Sequence, residues 1–354
     1  MRVLALTRYD RQAGSSRLRT LQYLPFWQAS GIEVDFSCLL DKHYLAALYG
    51  KRQINKFHII KAYLRRIKQL LQAKKYKFLW IEKELFPWMP ALAEKILHRL
   101  NIPYVVDYDD AVFHYYDLHR QPLIRSMLGK KIDQVMHHAR LVVAGNEYLA
   151  NRAKTAGAKE IAIIPTVIDI TRYALPVATE DSTDLIIGWI GAPTTFRLLQ
   201  TLAPVLAKVL PKYNAKLLVV GAKGEGFADL PVEWLDWSED SEVEAIQRMS
   251  IGIMPLRDVP FDHGKCGYKL IQYMACSKPV VASPVGVNSQ IVQEGKNGFL
   301  AQTEEQWQEA LERLLRDAGL RDAMGRQGRL LVEQKYCLQV TAPVMIDLFQ
   351  KTFK

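Results

Sequence analysis

The sequence has no run of 18 apolar residues, so no helix is expected to span a bilayer. Cysteine is scarce. Cys38, Cys266, Cys276 and Cys337 are scattered without paired spacing, which reads as reduced thiols in a cytoplasmic compartment. The eight histidines show no ligand spacing, so no metal and no other cofactor is expected. Internal repeats and low-complexity tracts are absent. The first apolar run, ending at Thr7, is too short for a secretory signal and reads as a strand. Acidic residues are missing from Lys42 to Lys77, where eleven Lys and Arg accumulate. That stretch accounts for the whole formal charge of +10 and implies an anionic surface, lipid headgroups or nucleic acid.

The 354 residues suffice for two domains, each with its own core. Apolar strands alternate steadily with helical patterns, the mark of a parallel α/β architecture. Residues 1–170 form a first domain and 185–340 a second. The acidic, Thr- and Pro-containing segment 171–184 reads as the linker. In the first domain a helix runs from Arg17 to Ala29, bent at Pro25. It follows a loop in which Gly14 and Ser15 either offer backbone N–H groups to an anion or form only a turn. Asn55 to Gln72 is a helix with Phe57, Ile60, Leu64, Ile67 and Leu71 along one side and Lys61, Arg65, Arg66 and Lys68 on much of the rest. It is either a solvated helix packed on the domain or an amphipathic helix resting on an anionic membrane. No zinc-ligand spacing or RNA-binding signature accompanies it, so nucleic acid is not expected.

The strand ending at Asp107 opens the run Asp107-Tyr108-Asp109-Asp110, whose carboxylates repel one another and need donors or cations. His114 follows, either a hydroxyl or phosphate ligand or simply a surface residue. In the second domain Gly191-Ala192-Pro193-Thr194-Thr195 leads from a strand into a helix predicted over Phe196 to Leu210, where N–H groups and dipole favour phosphate. Capping boxes are expected at Ser241–Glu244 and Thr303–Gln306. From Arg257 to Ala301 the chain reads as a loop at His263–Gly267, a helix to Ala275, a break at Pro279, a buried strand Val280-Val281-Ala282 and a turn at Gly286.

This segment resembles the donor-binding segment of GT-B glycosyltransferases, specifically the retaining enzymes of glycosyltransferase family 4. The likeness lies in Gly267, Lys269–Ala275, Lys278–Ala282, Gly286, Asn288 and Gly298–Leu300. The resemblance implies two Rossmann-like, doubly wound parallel-sheet domains facing a central cleft, with the last helix, in 341–354, packing back on the first. It implies a nucleotide-sugar donor held by Gly191, Thr194, Thr195, Arg197, Lys265, Lys269, Gln272, Gly286 and Asn288, with Gly14 and Ser15 close to the donor phosphates. Trp234 to Trp237 would either border the nucleotide base or pack in the core. A saccharide or lipid-linked acceptor would enter near Asp110 and His114, in a loop that resembles the DxDD loop of relatives acting on polysaccharides. The chain departs from the family at Gly264 and Gln272, where two Glu are common, and at Ala192, where an Arg is common.

The expectation is therefore a retaining, metal-independent sugar transfer in bacterial surface polysaccharide assembly, by a cytoplasmic protein peripheral to the inner face of the cell membrane. The alternative is a non-catalytic protein of the same fold that binds a nucleotide-sugar or the membrane. A Rossmann-type dehydrogenase is disfavoured because Gly221-Ala222-Lys223-Gly224-Glu225-Gly226 lacks the required spacing.

Overall fold

A computed structural model describes residues 1–49, 56–175 and 184–354. Lys51, Arg52, Asn55 and most of the predicted linker lie outside the described residues. The chain divides into two compact units. One comprises Met1–Thr166, Gly264–Cys266 and Thr341–Lys354, the other Val167–His263 and Gly267–Val340. The division falls ahead of the predicted linker, and the triplet around Lys265 goes with the first unit.

The first unit is built on a parallel sheet of β1 (Arg2–Thr7), β2 (Glu33–Cys38), β3 (Phe78–Glu82), β4 (Tyr104–Tyr108), β5 (Leu141–Ala144) and β6 (Ile161–Ile163), in the order β2-β1-β3-β4-β5-β6. β3, β4 and β5 are buried along their whole length, as near-continuous apolar runs require of a sheet covered on both faces. The chain goes out from β1 to β2 and returns past β1 to β3. The connections therefore part between β1 and β3, and loops at the carboxyl ends of those strands flank the gap.

Where one bent helix was expected over 17–29, there are two, Gly14–Arg19 and Leu24–Ala29, joined by a 3-10 turn at Leu21–Tyr23. Pro25 sits in the first turn of the second helix, where its missing N–H has no partner to lose. The helix Leu338–Thr352 brings Phe349 against Trp27, Phe78 and Trp80, with ring centroids 5.3, 5.1 and 5.7 Å away. Burying one such ring stabilises by about 1.5–3 kcal/mol.

The second unit repeats the plan with β7 (Ile186–Ile190), β8 (Lys216–Val220), β9 (Val232–Leu235), β10 (Ile251–Met254), β11 (Val280–Ala282) and β12 (Gly298–Leu300), ordered β12-β11-β10-β7-β8-β9 and all parallel. Its connections part between β7 and β10. The helix expected over 196–210 is two, Phe196–Gln200 and Ala203–Lys212. The Thr303 capping box forms as expected, with Gln306 closing it. The Ser241 box does not: the Ser241 backbone is already helical, and its hydroxyl bonds Ser238 instead. Both sheets are doubly wound and parallel, as the alternation predicted. Among the described residues no helix is long and apolar enough to cross a membrane.

Candidate functional site

In the second unit, the Gly191 loop and the helix Tyr268–Ala275 border the gap between β7 and β10. Gly191 N donates to Val220 O at 2.9 Å, and Thr195 closes the loop by donating from both N and Oγ1 to Ala192 O. Lys269 reaches over this loop, its Nζ 5.2 Å from the centre of the Trp189 ring. A Cβ on residue 191 would lie 2.6 Å from that ring and 2.9 Å from Lys269 Cε. Glycine is what allows loop, indole and lysine to meet. Thr194 and Arg197 stand exposed on the same loop and the helix after it.

Other predicted contacts turn inward. Gln272 is buried, donating to Tyr173 Oη at 3.1 Å and Glu242 Oε2 at 3.3 Å. Trp237 Nε1 also donates to Glu242, and Arg172 lies 3.6 Å from it. A Glu at 272 would set two buried carboxylates against each other, so the neutral amide suits this network. Asn288 is fully buried, its Nδ2 donating to Ser283 O at 3.2 Å while its Oδ1 has no partner among the described residues. Gly286 takes φ +55°, and a Cβ there would lie 2.7 Å from His263 O. The Trp234 ring packs on Phe196 and Phe227 in the core.

The first unit carries a dense charged cluster at the ends of β1, β3 and β4. Asp107, the first acid of the predicted trio, serves structure: Arg19 donates to it from Nη2 at 2.6 Å and Nε at 3.0 Å, both side chains fully buried. Asp109 pairs with Lys83 Nζ at 2.9 Å, and Lys83 also donates to Ser15 Oγ at 2.9 Å. Burial opposes both charges. Yet Lys83 holds the Asp109 pKa below the usual carboxylate range, and Asp109, Asp110 and Glu82 raise that of Lys83. Lys83 takes φ +64°, a strained value for a long side chain and a common one where geometry serves a site.

Asp110 is only part-buried and accepts from Lys265 Nζ at 2.9 Å. Burial works against the Lys265 charge, but the Asp110 carboxylate outweighs it and raises the lysine pKa. Asn146 caps its helix by accepting from Leu149 N and uses its Nδ2 to hold Gly264 O and Lys265 O at 3.1 Å. A Cβ at residue 264 would meet Ala111 Cβ at 2.5 Å, so no side chain fits there. His114 is fixed at both ring nitrogens, by Asp117 Oδ1 and Tyr148 Oη, each at 2.8 Å. Gly14 is exposed at the start of its helix with open space around it.

Sequence reading missed Arg8, Ser16, Glu82, Lys83, Glu84 and Lys131. Glu82 is buried, accepts from Ser16 Oγ at 2.6 Å and Arg8 N at 3.2 Å, and its pKa is raised, chiefly by burial. Glu84 accepts from Tyr116 Oη at 2.9 Å and from Lys131. The signal was Glu82-Lys83-Glu84 at the end of a wholly apolar run: charges at the carboxyl end of a central strand have little water to face. Among the described residues no group of three His, Cys, Asp or Glu is placed to hold a metal ion.

No curated protein matches the sequence. The sucrose-phosphate synthase from Thermosynechococcus elongatus is similar in structure with a TM-score of 0.73 at 16% identity, covering 100% of this chain and 99% of its own. HepE of Anabaena, solved in complex with UDP, has a TM-score of 0.73 at 15% identity, covering 99% of this chain and 100% of its own. WaaG, a glycosyltransferase involved in lipopolysaccharide biosynthesis, has a TM-score of 0.70 at 14% identity over 98% of this chain and 99% of its own. The fold is thus that of GT-B glycosyltransferases over essentially the whole chain. Residues 185–317, which include the Gly191 loop and Lys269, match the family model of glycosyl transferases group 1.

Proposed function

We propose that the protein is a retaining glycosyltransferase, moving a sugar from a nucleotide-sugar donor to a saccharide or lipid-linked acceptor in bacterial surface polysaccharide assembly. The observation that carries this is the meeting of Gly191, Trp189 and Lys269 at the β7/β10 gap, inside the matched residues 185–317. A close-approach glycine, the N–H groups of a tight loop and a cation over an indole suit a diphosphate. HepE has been solved with UDP-glucose, which supports a nucleoside diphosphate sugar as donor. Thr194, Thr195 and Arg197 complete the diphosphate contacts, Arg197 being the nearest basic substitute, close to where the resembled family's Lys would fall.

Lys265 trades Asp110 for a donor phosphate oxygen, and the released Asp110 orients the acceptor hydroxyl. His114, already fixed by Asp117 and Tyr148, steadies that side. The bond from C1 to the acceptor oxygen forms as the bond from C1 to the phosphate oxygen breaks, on one face of the sugar. The hydroxyl proton passes to the departing diphosphate. Fixed cations and N–H groups stabilise the charge that leaves with it, so the reading requires no metal. Transfer assays with Lys265→Ala test this: a transfer rate and nucleotide affinity equal to the parent protein's would refute it.

A second reading is favoured by the absent acids at Gly264 and Gln272 and by the neutralised Lys265: a non-catalytic protein that binds nucleotide-sugar. Release of free nucleotide from a bound donor separates the two. An enzyme turns the donor over, if slowly, whereas a binder returns it intact.

The basic region supports an anionic membrane as partner. The helix Lys56–Leu70 packs inward through Ala62 and Arg66, whose Nη2 donates to Thr7 O at 2.8 Å. Arg66 is therefore a buried tether rather than a surface cation, and burial lowers its pKa to about 10. The apolar row Phe57, Ile60, Leu64, Ile67 and Leu71 faces solvent instead, up to 81% exposed at Leu71. Lys56, Lys61 and Lys68 flank it. An outward apolar row edged by lysines suits the interface of an anionic bilayer on the cytoplasmic side. Flotation with anionic vesicles checks it: failure to float excludes membrane docking.

A further inference from the structure

We propose that this docking surface has a second element, an apolar wedge of Trp88 and Met89 with Leu92 and Ile96 beside it, which enters the interfacial layer of an anionic bilayer. The inference rests on the membrane reading above and extends it to a segment outside the basic region. Trp88 is 53% exposed, Leu92 60% and Ile96 53%. Trp88 adopts φ +62°, a genuine outlier for so bulky a residue, and such a backbone persists only where its surroundings hold it. Tyr116 does so: its hydroxyl accepts from Trp88 N at 3.1 Å, and the two rings meet edge-on at 5.3 Å. Core burial does not explain the strain, since half of the indole faces solvent. The fold holds an aromatic outward.

The wedge adjoins the basic helix. Tyr63 of that helix donates to Pro87 O at 2.7 Å, and its ring lies 5.3 Å from that of Phe86. The two elements therefore share a surface. Apart from Asp41, which pairs with His58 of the helix at 3.1 Å, its charge is of one sign. All seven carboxylates between Lys42 and Lys131 are buried or ion-paired: Glu82, Glu84, Glu94 and Asp107 are buried, and Asp109, Asp110 and Asp117 face Lys83, Lys265 and Arg152. Lys61, Lys68, Lys95 and Arg99 remain exposed. Tryptophan beside aliphatic residues, with lysines and no uncompensated acid, fits a headgroup layer over anionic lipid.

The test places an environment-sensitive fluorophore at Met89→Cys, and separately at Leu64→Cys, in a Cys38→Ser background of the full chain. Vesicles contain phosphatidylethanolamine with or without phosphatidylglycerol. Blue-shifted emission and quenching by brominated lipid at both positions, only with phosphatidylglycerol, is the expected result. Trp88→Ser should weaken vesicle binding about tenfold while lowering the melting temperature only by the few degrees that loss of the Tyr116 ring contact implies. A shift at position 64 without one at 89 overturns the wedge and leaves the helix reading standing. No shift at either position, with no flotation, overturns both. Self-association through this face in sedimentation, with no lipid shift, makes the partner a second copy and also overturns the proposal.

Discussion

Lys265 and Asp110, 155 positions apart in sequence, form a 2.9 Å ion pair that Asn146 supports by holding the Lys265 carbonyl. A phosphate that draws Lys265 away must overcome this pair. Asp110→Asn should therefore tighten binding of nucleotide alone, by about tenfold at most, while slowing transfer to an acceptor. Titration calorimetry beside a transfer assay checks the split. A loss in both measurements would place Asp110 in structure rather than at the acceptor.

Asp107 belongs to the fold. Its pair with Arg19 is fully buried, and removing one partner leaves a charge without compensation. Asp107→Ala should cost about 3–5 kcal/mol in urea unfolding, whereas Asp110→Ala, at a part-exposed pair, should cost about 1 kcal/mol or less.

An acid-sensitive contact in the second unit is independent of any ligand. Lys212, Gln308 and Tyr213 hold Glu312 at a pKa of about 2, below its ordinary 4.5. The depressed value means that this stabilisation is complete above 4.5 and fades as pH falls towards 2. Melting temperature should drop more steeply over that range in the parent protein than in Glu312→Gln. Parallel curves would show that the group adds nothing.

Glycine at 191 is required by contact, not by backbone angle. Gly191→Ala should displace Lys269 and the Trp189 ring, weakening nucleotide binding about tenfold or more with a smaller effect on folding. Titration and thermal melting of the same variant separate the two effects.

The parallel sheets were legible because β5 and β11 are apolar throughout, β3 and β7 nearly so, and turn signals bound them. The Gly191 loop was legible for the same reason, as a small-residue turn after a buried strand. Side-chain direction was not. Gln272 and Asn288 lie in the segment read as ligand-facing but point into the core, since a helix carries residues to both faces. The row from Phe57 to Leu71 shows the converse. Its periodicity announced an apolar side, but the inward side is held by Ala62 and by Arg66 bonding strand carbonyls, a use of arginine that periodicity does not reveal. Partners distant in sequence, such as Lys83 with Asp109, appear only when β3 and β4 lie side by side.

The most direct test titrates UDP-, GDP- and CDP-sugars into the protein by calorimetry and repeats the best of them with Lys269→Ala and Arg197→Ala. Saturable binding to sugars of one base is expected, weakened about tenfold or more by Lys269→Ala. No binding to any of the panel, or binding unchanged by both substitutions, would contradict it.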